Sequence, residues 1–245
     1  MEIIKRANVE FKVDNGLLIR MKSTTKATID AYIPKKLSDN VEINAIGECF
    51  CKGSYDKVVI DNDITEVSMG AFEHSRVKEV VWSSACHVIP ENCFNCSSVE
   101  AVSNVDCVTT IMRNAFADSM LKEFNWPAGC SVIPDYCFSN SKLECISGID
   151  NVDKVGKSAF EYSRIKEIAW PSKCSDIPYG CFYNSKLKRI FNIQDIKSIG
   201  KFAFASTDIE SFTIPYGVGK LSAGIFAWTN SLKSVICHDG GVYNR

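Results

Sequence analysis

The sequence predicts a β-solenoid: nine stacked right-handed turns with a short parallel sheet along one side and a β-hairpin cap at the N-terminus. Three observations carry this. Phenylalanine recurs every 22 residues, apolar residues recur at fixed offsets from each phenylalanine, and a segment ahead of the repeat alternates about an Asp-Asn-Gly turn.

The phenylalanines are Phe50, Phe72, Phe94, Phe116, Phe138, Phe160, Phe182, Phe204 and Phe226, with every interval equal to 22. Five residues after them come Tyr55, Val77, Val99, Leu121, Leu143, Ile165, Leu187 and Ile209. Eight after come Val58, Val80, Val102, Phe124, Ile146, Ile168, Ile190 and Phe212, and five before come Val67, Ile89, Ile111, Ile133, Val155, Ile177, Ile199 and Leu221. All three columns are expected to face the core. The first turn is one residue short (Ile46), and the last inserts one (Leu232). A period of 44 lies over the first: turns ending in Ile-Pro-x-x-Cys-Phe alternate with turns ending in Ala-Phe, and Trp82, Trp126 and Trp170 follow the longer step. Duplication of a two-turn block is the simplest origin.

Twenty-two residues is too short for helix-pair repeats and suits a turn built around one strand. Leu121-x-x-Phe124-x-Trp126 and Ile165-x-x-Ile168-x-Trp170 have the alternation of a short strand with one face inward. Every proline follows Ile or Trp at a segment end, where no ladder hydrogen bond is lost. The run Ile196-Lys-Ser-Ile-Gly-Lys-Phe-Ala-Phe204, then Ile209-Glu-Ser-Phe-Thr-Ile-Pro215, resembles the BspA-like leucine-rich repeat, "I-x-x-I-G-x-x-A-F" and "L-x-x-I-x-I-P". The likeness covers about residues 41 to 236. Two departures stand out: the spacing from Phe to the next Leu is one shorter in all but the last turn, and serine (Ser75, Ser97, Ser119, Ser141, Ser163, Ser185) stands where the family often has cysteine. The resemblance implies a leucine-rich-repeat-like solenoid and a surface or secreted adhesion and recognition role.

The chain therefore divides into a cap over residues 1–40, a solenoid over 41–236 and a tail over 237–245. In the cap, Val9 to Arg20 alternates about Asp14-Asn15-Gly16, a hairpin signal, and a further strand is expected from Ala27 to Ile33. The tail, Cys237 to Arg245, reads as thin cover for an open sheet edge, which leaves end-to-end self-association near Trp228 open.

Lys plus Arg (28) nearly cancels Asp plus Glu (29), so net charge offers no field for nucleic acid, and no apolar run is long enough for membrane insertion. Glu2, Lys5 and Arg6 put charge where a signal peptide would be apolar. Of the cysteines, Cys49, Cys93, Cys137 and Cys181 directly precede a Phe, and Cys86, Cys130 and Cys174 lie eight before one; one turn on, their equivalents are Ala, Val or Ile. They read as small buried hydrophobes, free rather than disulfide-bonded. Free thiols suit a reducing compartment, whereas the family resemblance implies the surface, and the sequence leaves localisation open. Cys93-x-x-Cys96 and Cys49-x-Cys51 have no second ligand pair, so no metal is expected. His74, His87 and His238 occupy unrelated slots and no glycine-rich phosphate loop is present, so neither an enzyme nor a cofactor is expected.

The surface charges follow a pattern. One residue after the leading apolar position come Asp56, Lys78, Glu100, Lys122, Glu144, Lys166, Lys188, Glu210 and Lys233, alternating in sign except at Lys166 and Lys188. Like charges on adjacent rungs repel. Arg189 and Phe191 point outward beside that pair, and arginine and aromatic residues are enriched at the energetic centres of interfaces. Lys166, Lys188, Arg189 and Phe191 are thus the candidate binding residues on the outward strand face. The expected function is a non-catalytic module binding a protein or cell-surface macromolecule. The alternative is a structural segment of a larger surface or virion assembly.

Overall fold

A computed structural model describes residues 1–6, 8–25, 29–48 and 55–237, together with the backbone of the strand Val242–Asn244. Asn15 (φ 48°) and Gly16 (φ 80°) form the left-handed turn that joins Val9–Asp14 to Leu17–Ser23, as the Asp-Asn-Gly signal requires. A strand that the sequence pattern does not announce, Glu2–Arg6, pairs antiparallel with Val9–Asp14; only Ile4 of its residues is even half-buried, so it shows no alternation to read. Beyond the hairpin the cap grows directly into the stack. Leu17–Ser23 pairs in parallel with Ala45–Ile46, and Ile29–Ile33 with Tyr55–Ile60. The strand expected from Ala27 begins at Ile29, and Ala27 lies outside the described residues.

Each turn up to Phe204 has three segments. A short strand follows the phenylalanine loop, for example Glu79–Val81 beside Ala101–Ser103. A two-residue strand precedes the next loop, for example Val88–Ile89 beside Thr110–Ile111. The loop itself carries the phenylalanine inward. From Phe72 to Phe226 the rings stack with centroids 5.1 to 5.8 Å apart, and Phe72 to Phe204 are buried. Phe50 and Cys49 lie outside the described residues. The loop backbone forms a ladder of its own: Phe94 N–H donates to Ala115 O (2.8 Å), Phe116 to Cys137 (2.9 Å), and so on to Phe204 and Ile225 (3.0 Å). In the serine column three residues on, Ser97, Ser119 and Ser141 each donate to the carbonyl of their own Phe at 2.7 Å, whereas the buried hydroxyls of Ser75 and Ser163 have no hydrogen-bond partner among the described residues.

The 44-residue period has a structural counterpart. Trp82, Trp126 and Trp170 are buried against the Phe of the next turn (centroids 6.0, 6.1 and 5.9 Å), and each indole N–H donates to the carbonyl of Cys86, Cys130 or Cys174. The following turn puts Asn104, Gly148 or Asn192 at the tryptophan position, all left-handed (φ 60°, 74°, 61°). A left-handed residue ends a strand. Among the described residues, no backbone hydrogen bond then joins Ala101–Ser103 to Glu123–Asn125, Cys145–Ser147 to Glu167–Ala169, or Arg189–Phe191 to Ser211–Thr213. The inward residues beside these breaks, Val102, Ile146 and Ile190, are only half-buried. The loop ladder runs on unbroken, so the strand face opens at every second rung from Ala101 onward.

Two expectations need correction. Leu221 is 45% exposed, because no strand forms between Gly217 and Leu221 and nothing imposes the inward alternation; Val218 packs on the core from this segment. The last rung is also better covered than expected. Ser234–Ile236 pairs in parallel with Ser211–Thr213 and antiparallel with Val242–Asn244. Asp239-Gly240, a hairpin signal in the sequence, stands between those two strands.

Candidate binding surface

The last of the three breaks forms a cleft. Between Arg189–Phe191 and Ser211–Thr213 lies a hollow of about 850 Å³, with Ile190, Phe212, Ile214 and Pro215 among its apolar lining. Phe191 (45% exposed) and Tyr216 (77% exposed) contribute rings, and Lys188, Arg189, Asp208 and Glu210 contribute charge. At the two earlier breaks the counterparts of Phe191 are Ser103 and Ser147. An apolar hollow with a few polar groups is the usual form of a binding site.

Three of the four residues singled out in the sequence line this cleft: Lys188, Arg189 and Phe191. Lys166 does not. It sits one rung away, its carbonyl accepting from Lys188 N–H at 2.7 Å. Arg189 is engaged rather than free, since its Nε donates to Glu167 Oε1 at 2.8 Å and Nη2 reaches the same oxygen. Glu210 is held below the usual carboxylate range, chiefly by its hydrogen bond and ion pair with Lys233 (2.6 Å) and more weakly by Lys188. Lys188 thus has a like charge on one side and a partly spoken-for carboxylate on the other. Elsewhere in the column Lys78 pairs with Asp56 at 2.7 Å, while among the described residues no ion pair joins Glu100, Lys122, Glu144 or Lys166.

The BspA type leucine rich repeat region matches in six copies, over residues 36–144 and 109–233. The chain belongs to the BspA-type leucine-rich-repeat family. A solved leucine-rich repeat protein from Bacteroides ovatus superposes with a TM-score of 0.71 at 18% identity, over 97% of this chain and 70% of that one. The leucine rich repeat protein of T. pallidum gives 0.52 at 16% identity, over 83% and 88%. At these identities the likeness is one of fold. No curated protein matches the chain by sequence.

Within the BspA-type framework the cysteines are structural. Every described cysteine is free; Cys86, Cys93, Cys130, Cys137, Cys174 and Cys181 are buried, while Cys96 and Cys145 are exposed. Cys93 is fully buried and Cys96 faces out, so the Cys-x-x-Cys pair does not converge on one point. Burial pushes the Cys130 and Cys174 thiols up to about 11, the reverse of what a reactive thiolate needs. His87 Nδ1 lies 2.8 Å from the Cys107 carbonyl, a structural contact, and His238 lies outside the described residues. Sequence reasoning missed Phe212, Ile214 and Tyr216, because they belong to the rung across the break and share no column with Phe191. The signal was Pro215-Tyr216, a proline and ring directly after the position that tryptophan fills in earlier blocks.

Proposed function

We propose that this chain is a non-catalytic binding module whose strand face takes a partner protein or cell-surface macromolecule in the cleft between Arg189–Phe191 and Ser211–Thr213. The observation that carries the reading is the break itself: it exposes an apolar floor beside two solvent-facing rings and one lysine that lacks an ion pair among the described residues. Repeat stacks supply extended recognition surfaces of this kind. A partner segment carrying a carboxylate or phosphate next to an apolar group fits, with Lys188 meeting the anion and Phe191 and Tyr216 covering the apolar group. Arg189 then acts through its existing pair with Glu167, holding the rim rather than reaching for the ligand.

The test is a double substitution, Lys188→Glu with Phe191→Ser, in surface plasmon resonance against a partner captured by the wild-type protein from surface or matrix extracts. Affinity should fall at least tenfold, about 1.4 kcal/mol, with the melting temperature equal or higher. Unchanged affinity places the contact elsewhere. The alternative, a structural segment associating end to end, draws support from the exposed Leu221 and Trp228, and is weakened by the strand Val242–Asn244 on the sheet edge. Sedimentation equilibrium separates the two, since a concentration-dependent mass that Trp228→Ala abolishes favours assembly.

A further inference from the structure

On the side of the solenoid that carries the phenylalanine loops, each turn from Phe72 to Phe226 has a left-handed residue two before and two after its Phe. Gly70, Asn92, Asn114 and Asp118 are the expected types there. Further along the stack Tyr136, Tyr162, Phe202 and Trp228 take these positions, at φ between 56° and 60°. A bulky side chain at positive φ is a backbone outlier. Four of them on one face, in a fold that elsewhere uses small or polar residues at the same positions, indicate a use for the rings beyond folding.

Their arrangement indicates what that use is. Trp228 lies near-parallel to Phe202 (21°, centroids 6.0 Å apart), and Tyr179 stands across Phe202 at 79° and 6.1 Å. The rings form a floor and a wall around a hollow of about 280 Å³ that Ser158, Glu161 and Tyr183 also line, kept open where Gly180 has no side chain. Trp228 is 62% and Tyr179 50% exposed. Tyr162 packs edge-on against Tyr183 one turn back, so rings from four successive turns make one platform of roughly 15 Å, at about 4.8 Å per rung.

We propose that this aromatic face is a carbohydrate-binding site for a neutral glycan chain. A sugar ring presents C–H bonds on its faces and hydroxyls around its edge. Exposed rings at right angles receive the faces, and the polar lining receives the edge: Glu161 accepts hydroxyl protons, while Ser158, Tyr179 and Tyr183 exchange hydrogen bonds with it. The hollow's lining carries one charged group, an acceptor, so nothing in it selects an anionic polymer. The nearby cation, Lys201, already sits over the Phe202 ring at 4.8 Å. Tyrosine and tryptophan also anchor protein interfaces, where they accompany arginine around a desolvated apolar centre; this lining holds no arginine and sets Ser158 and Glu161 among its rings. The site owes nothing to the strand-face cleft and stands or falls separately from it.

Native affinity electrophoresis of the full chain tests this, in gels containing soluble mixed-linkage β-glucan, xylan, galactomannan or α-mannan. At least one should retard the wild type, and Tyr179→Ala and Trp228→Asn should each weaken binding tenfold or more. The other tryptophans are buried, so acrylamide quenching reads Trp228, and the retarding polysaccharide should protect it. Trp228→Asn suits a left-handed position, so its melting temperature should be equal or higher, which separates lost binding from lost folding. Lys188→Glu with Phe191→Ser should be retarded as wild type is. The proposal is overturned if no polysaccharide retards the wild type or if the ring variants stay retarded. It is also overturned if sedimentation shows a dimer that Trp228→Asn dissolves, which would make a second copy the occupant.

Discussion

Phe138→Ala is the sharpest probe of the stack. Phe138 is fully buried and lies between Phe116 (5.4 Å) and Phe160 (5.8 Å), with Phe124 and Trp126 against it at 5.9 and 6.1 Å. Truncation removes the ring's burial and leaves a cavity that neighbours on both sides are too well fixed to fill, a loss of about 3–5 kcal/mol. Four aromatic contacts place it at the top of that range, near ~5 kcal/mol. Phe226 offers the matched control. It is half-buried and touches Phe204 (5.8 Å) and Phe212 (5.2 Å), with no ring beyond it among the described residues, so Phe226→Ala should cost only ~1–2 kcal/mol. Urea unfolding followed by far-ultraviolet circular dichroism measures both. With a slope of about 3 kcal/mol/M, the midpoint should fall by roughly 1.5 M for Phe138→Ala and by about 0.5 M for Phe226→Ala. Equal losses at the two positions would refute a stack in which each turn is held by its neighbours alone.

Thiol titration of the native protein should label Cys96 and Cys145 fast and the six buried cysteines slowly, while titration in denaturant without reductant should label nearly all; a shortfall there would reveal disulfides. Burial raises the Cys130 and Cys174 pKa from 9.0 to about 11, so the folded state holds those protons more tightly than the unfolded chain. The associated stability is complete below pH 9 and is lost as pH rises to about 11, a decline in urea midpoint that Cys130→Ala with Cys174→Ala should lessen but not abolish, since burial also raises the Cys93, Cys137 and Cys181 thiols. Gly148 is left-handed, and a Cβ there would meet the Trp126 carbonyl oxygen at 2.7 Å. Gly148→Ala should cost more than about 1 kcal/mol in thermal melts. Gly148→Asn should cost less, because Asn104 fills the equivalent position with its amide donating to the Trp82 carbonyl at 2.7 Å.

The regions of the fold that repeat side-chain chemistry are legible in the sequence. Phenylalanine spacing marks the turns, alternation in Leu121-x-x-Phe124-x-Trp126 marks the strands, and Asp14-Asn15-Gly16 marks the hairpin, since each follows from burial or from a turn's demand for positive φ. The second ladder is not legible, because two-residue strands such as Val88–Ile89 are too short to show alternation. Of the candidate site, Lys188 and Phe191 stand out by their departure from columns. Arg189 looks free in the sequence and is not, although Glu167 precedes it by one turn in the same column with opposite charge. The cleft itself is hidden, because it arises from hydrogen bonds that do not form between two rungs. Its cause is nonetheless written in the chain: asparagine or glycine at the tryptophan position of every second turn.

The two periods divide the work of the molecule. The 22-residue ladder of phenylalanines and loop amides runs unbroken and couples each turn to the next, so it carries stability along the whole stack. The 44-residue period acts on the strand ladders instead: Asn104, Gly148 and Asn192 end a strand and separate its rung from the following one, and the two-residue ladder also pairs only two turns at a time. Because the loop side stays paired, a break costs a few exposed amides and a half-buried Val or Ile rather than the integrity of the fold. Substitutions beside a break therefore meet little resistance from packing, which lets Ser103, Ser147 and Phe191 differ at one position while Phe94, Phe138 and Phe182 do not. The loop side is free in another way. Its left-handed residues point outward from turns already fixed by the ladder, so Tyr162, Phe202 and Trp228 are held in place at a local backbone cost that the neighbouring rungs absorb. Recognition on this solenoid is expected where the two periods leave the backbone committed and the side chain unconstrained, and the strand-face cleft and the aromatic loop face both meet that condition.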